Sequence, residues 1–110
     1  MINRCLVRVR AKEPFVEWIN SLPDPAGVSV EEVNRDNTVY LLPEYSYDTE
    51  EEGLLADFFD LIFEEQLNGW WTEKSDWPAN RDLALFKEWF DVEFHSAVLD
   101  LVDAPLEDDE

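Results

Sequence analysis

Along residues 3–12 apolar and charged side chains alternate. Cys5, Val7, Val9 and Ala11 fall on one side, and Arg4, Arg8, Arg10 and Lys12 on the other, with Leu6 among the arginines. A period of two with β-branched residues predicts a strand over about Asn3–Ala11, apolar on one face only. Pro14 suits the first turn of a helix, where its missing N–H costs nothing. Phe15, Trp18, Ile19 and Leu22 follow at helical spacing, so a helix is predicted over Pro14–Leu22, ended by Pro23 and Pro25. Ala26–Asp36 reads as loop or short helix. Thr38–Leu42 is rich in β formers and closes at Pro43, which predicts a second strand. Val39 and Leu41 are as apolar as Tyr40 and Leu42, so this strand is expected at the centre of a sheet, covered on both faces.

The second half opens on Thr49 with Glu52 three residues later, the spacing of a capping box, and Glu50–Glu52 suit the positive end of a helix dipole. The helix predicted over Glu50–Leu67 carries Leu54, Leu55, Phe58, Phe59, Leu61, Ile62 and Phe63, with Asp57, Asp60 and Glu64 on its opposite face and Gly69 as its stop. A loop, Gly69–Asn80, holds Trp70, Trp71 and Trp77. Asn80 is the expected cap of a third helix over Arg81–Trp89. Beyond it two patterns compete. Phe86, Phe90, Phe94, Ala97 and Leu101 would line one face of a continued helix, whereas Phe90, Val92 and Phe94 alternate with Asp91, Glu93 and His95 as a strand would. The β-branched and aromatic content favours the strand, which would set Asp91 and Glu93 against Arg8 and Arg10 across the sheet. The predicted fold is therefore one small α+β domain over residues 1–106. Its three strands, near Asn3–Ala11, Thr38–Leu42 and Phe90–Leu101, are packed by three helices, and an acidic tail follows at 107–110.

Composition narrows the function. The 110 residues hold 27 Asp and Glu against 8 Lys and Arg, a net charge of −19. Residues 1–48 carry a net −3 and residues 49–110 a net −16. With 45% hydrophobic and 14% aromatic residues a core can form, so disorder is not expected. Direct binding to nucleic acid or to an anionic membrane is not expected, because both rest on clustered Lys and Arg. No charge-free stretch exceeds seven residues, as at Asn37–Pro43 and Gln66–Thr72, too short to span a bilayer. The early arginines resemble the basic region of a signal peptide, but no apolar run of about 7–15 residues follows them. One cysteine, Cys5, can form no internal disulfide. A cytoplasmic location is the expectation.

Motifs for phosphate or dinucleotide binding, a nucleophile elbow and paired-histidine zinc ligation are missing, and the three glycines Gly27, Gly53 and Gly69 lie far apart. No catalytic residue and no cofactor are assigned. His95 would share a strand face with Asp91 and Glu93, a small O,O,N cluster able to hold a metal or ligand, or an edge histidine paired with carboxylates. Cys5 falls on the apolar face and is expected to be an inert thiol. Trp70, Trp71 and Trp77 carry the most information. Either their loop folds back over the core, or it forms an aromatic contact patch, since tryptophan is enriched in binding hot spots.

The runs VNRDNTVYLLPE (Val33–Glu44) and WFDVEFHSAVLDLVD (Trp89–Asp103) resemble small acidic bacterial proteins without an assigned function. That resemblance implies a bacterial cytosolic protein and carries over no catalytic residue. The leading expectation is a protein–protein interaction module, an adaptor or inhibitor that docks a basic protein surface. Trp70, Trp71 and Trp77 are its candidate contacts. A structural or assembly protein that self-associates through the tryptophan loop is the alternative, followed by a small metal- or ligand-binding protein using the Asp91, Glu93 and His95 face.

Overall fold

The alternation of residues 4–11 becomes β1 (Arg4–Ala11): Cys5, Val7, Val9 and Ala11 are buried, while Arg4 and Arg10 are exposed. The structure is a computed structural model and describes residues 1–108; Asp109 and Glu110, half of the acidic tail, lie outside the described residues. After β1 come α1 (Glu13–Asn20), α2 (Val30–Val33), β2 (Val39–Pro43), α3 (Glu51–Asn68), α4 (Leu83–Trp89) and β3 (Phe90–His95). The fold is α+β, with one antiparallel sheet ordered β2-β1-β3 and its helices on a single face.

β1, not β2, is therefore the central strand. It pairs with β2 from Arg4↔Pro43 to Arg8↔Val39, and with β3 from Leu6↔His95 to Ala11↔Phe90. The expectation that β2 is covered on both faces fails. Leu42 is buried, but Val39 and Leu41, on the opposite face, are 49% and 46% exposed. An antiparallel sheet can leave one face to water, and here no layer lies over that face among the described residues.

β3 is a strand, as its alternation predicts, but it ends at His95 rather than near Leu101. Past Leu6, its partner at His95, β1 offers only Cys5 and Arg4, and the alternation lapses at the contiguous pairs Val98-Leu99 and Leu101-Val102. One further link ties the chain ends, where the Ile2 N–H donates to the Val98 carbonyl at 3.0 Å.

The helix ends use partners other than those expected. Ahead of α3, the Glu50 carboxylate accepts from the backbone N–H groups of Ser46 and Tyr47 (2.9 and 2.8 Å), in place of a box between Thr49 and Glu52. Asp82, not Asn80, caps α4, accepting from the Leu85 N–H at 2.8 Å. Gly69 does end α3, but at φ −65°, so it uses none of glycine's left-handed freedom. The full capping box belongs to short α2, where Ser29 and Glu32 bond reciprocally at 3.1 Å.

The core joins the inner face of β1 to a cluster of rings from α1, α3, α4 and β3. Phe90 lies 4.7 Å from Phe15, 5.1 Å from Phe86 and 5.6 Å from Phe63, centroid to centroid. Tilted and edge-on pairs at such distances each add about 0.5–1.5 kcal/mol beyond area burial.

Candidate functional site

The tryptophan loop divides. After Gly69, a single turn at Lys74–Asp76 folds it back onto α1, and Asp76 receives two indoles: the Trp71 Nε1–H at its carboxylate (2.9 Å) and the Trp18 Nε1–H at its carbonyl (3.1 Å). Trp77 is 8% exposed, and its Nε1–H donates to the Trp71 carbonyl at 2.8 Å. Lys74 and Arg81 stand over its ring, 5.8 and 5.6 Å from the centroid. A buried indole needs a partner for its N–H, and this loop supplies one from its own backbone. Trp77 is thus a core residue, Trp71 is half-buried, and Trp70, at 37% exposure, is the most open of the three. They do not form one exposed aromatic patch, because a loop held this closely to α1 has an inner and an outer side.

Asp91, Glu93 and His95 do share the open face of the sheet. Glu93 sits opposite Arg8 in register, with the carboxylate 3.8 Å from the guanidinium and 2.7 Å from His95 Nε2. The His95 hydrogen bond first, then the charges of His95, Arg8 and Arg10, hold the Glu93 carboxyl below the ordinary range. Among the described residues no three His, Cys, Asp or Glu side chains converge closely enough to hold a metal ion. On the opposite face Cys5 is fully buried, and burial pushes its thiol pKa up, away from the reactive thiolate.

The acidic face of α3 stands where its periodicity places it, with Asp57, Asp60 and Glu64 exposed. Glu64 pairs with Arg81 at 3.8 Å, and Glu52 pairs with Lys87.

A further surface is not legible in the periodicity. Between the outer edge of β2 and α3 runs a groove of about 350 Å³, lined by Tyr40, Leu41, Leu42, Phe58, Leu61, Ile62 and Glu65. It continues past Leu41 and Phe58 to Pro43, Glu44 and Arg4 at one end, and past Glu65 to Thr38 and Trp70 at the other. Leu61 is 60% exposed. The Tyr40 hydroxyl donates to Glu65 at 2.8 Å and accepts from the Gln66 amide at 2.9 Å, which fixes that ring as a wall. Burial and the Glu65 carboxylate hold its pKa above the ordinary phenol range. The charge-free run Asn37–Pro43 was the one available signal for this groove, and it also fits a twice-covered strand.

Among the described residues no helix is long and apolar enough to cross a membrane. Comparison with protein-family models, curated proteins and solved structures finds no match to this chain.

Proposed function

We propose that this chain is a protein–protein interaction module, an adaptor or inhibitor that docks a basic protein surface in the cytoplasm without contacting nucleic acid directly. The observation that carries this is the concentration of acid. Residues 49–110 hold a net −16, and the carboxylates Asp57, Asp60 and Glu64 stand along the water-facing side of one helix. A field of one sign speeds encounter with a surface of the opposite sign and repels like-charged competitors. The chain's own cations neutralise little of this, since residues 49–110 hold 3 Lys and Arg against 19 Asp and Glu.

The test is retrieval of binders from lysate at low ionic strength, followed by kinetics of the purified pair. Raising ionic strength from about 0.01 to 0.15 M shortens the screening length from about 30 to 8 Å. The association rate is expected to fall steeply over that range while the dissociation rate changes little. An association rate indifferent to salt would overturn the proposal.

A further inference from the structure

Two properties coincide at β2. Its outer side carries no further strand among the described residues, and Val39–Leu42 contains no charged residue. Exposed edges are ordinarily blunted by lysines, prolines or bulges, because their free N–H and C=O groups invite pairing. Here Pro43 blunts only the last position.

We propose that the groove between the free edge of β2 and α3 binds an extended segment of a partner protein, in which apolar residues alternate with Lys or Arg, as a fourth strand of the sheet. This rests on the acidic-docking function proposed above and gives it a location and a ligand chemistry. Main-chain bonds to β2 would supply affinity, and alternate side chains would supply selectivity.

The alternation follows from the two sides of the edge. On the open face of the sheet, Val39 and Leu41 offer apolar neighbours to every second residue of an added strand. On the other side the incoming residues meet α3. There Leu61 has Asp57 one turn before it and Glu64 and Glu65 one turn after it, all exposed. A lysine or arginine fits that combination, laying its methylene stem on Phe58 and Leu61 and its charged head among the carboxylates.

Charge also chooses between occupants. A second copy would bring the same carboxylate rim against this one. The chain's own exposed apolar residues Leu99, Leu101 and Leu106 are interleaved with Asp100, Asp103 and Glu107. Both would meet like charge at the groove, whereas a cationic strand would not.

The test is an NMR titration of the full-length chain, isotope-labelled, with a short peptide alternating valine and lysine, against its valine–glutamate counterpart. Saturable shifts are expected at the amides of Val39–Pro43 and around Leu61 with the valine–lysine peptide only. Leu61→Asn and Leu41→Thr, both at exposed positions, should each weaken binding about fivefold without altering the rest of the spectrum. N-methylation of alternate peptide residues should abolish binding in one of its two registers. Shifts that map away from β2, or affinity indifferent to both substitutions, would overturn the groove while leaving the acidic-docking proposal standing. A valine–lysine peptide that binds no more tightly than the valine–glutamate one would overturn both. Sedimentation showing a dimer closed through β2 would replace the cationic partner with a second copy.

Discussion

Phe58 and Phe63 both belong to the apolar set that predicts α3, yet they do different work. Phe63 is fully buried and lies 5.6 Å from the rings of Phe86, Trp89 and Phe90, whereas Phe58 is half-buried and lines the groove. Phe63→Ala is expected to cost about 3–5 kcal/mol and Phe58→Ala about 1–2 kcal/mol in urea denaturation. Equal losses would mean that the groove is closed in solution. Glu93 gives a second residue-scale expectation, and its sign follows from the direction of its shift. A carboxyl held below its ordinary value near 4.5 contributes stability that is present above that pH and is lost as pH falls through the lowered value. Glu93→Gln should therefore flatten the acid limb of the stability curve, and an unchanged limb would argue against the pairing. Arg8→Glu should in turn be rescued in part by Glu93→Lys, with coupling read from a double-mutant cycle.

At the scale of elements, α2 matters more than its four residues suggest. Its C-cap is Asn34, whose amide accepts from the Ala11 N–H at 2.8 Å and donates to the Ala11 carbonyl at 2.9 Å. β2 leaves β1 at Arg8, so without Asn34 the last residue of the central strand would have no neighbour on that side. One side chain thus does what a strand residue would do, and the Ser29–Glu32 box sets the turn that places it. The preceding loop is pinned in the same way, since the Asn20 amide bonds both the carbonyl and the N–H of Val28 (2.8 and 3.0 Å). Asn34→Ala should cost about 1–3 kcal/mol in urea denaturation, because it strands two partly buried backbone groups. A loss below about 0.5 kcal/mol would show that water replaces the amide without penalty.

For the molecule as a whole, a net −19 on 110 residues opposes the compact state by self-repulsion. Surface ion pairs such as Arg8–Glu93 and Arg81–Glu64, both at 3.8 Å, contribute little and weaken with salt. Repulsion among the many remaining carboxylates outweighs them. The melting temperature is therefore expected to rise between low and moderate salt, measured by calorimetry at neutral pH. A fall would mean that the few attractive pairs dominate.

Local pattern was enough to establish the single α+β domain, the three strands, the long α3 and the facing of Arg8 with Glu93. Each of these depends on side-chain periodicity, which backbone geometry imposes residue by residue. The rest depended on what lies over each surface. An apolar run such as Val39–Leu42 reports that both faces of a strand are apolar, not whether a layer covers them, so β2 reads as central and proves to be an edge. Trp70, Trp71 and Trp77 are chemically alike. Only the turn that brings Asp76 against α1 sorts them into exposed, half-buried and buried. The β2–α3 groove joins residues about twenty positions apart, and no window of sequence contains it. Periodicity is written in single elements, whereas coverage is a relation between elements, and it exists only once the chain has packed.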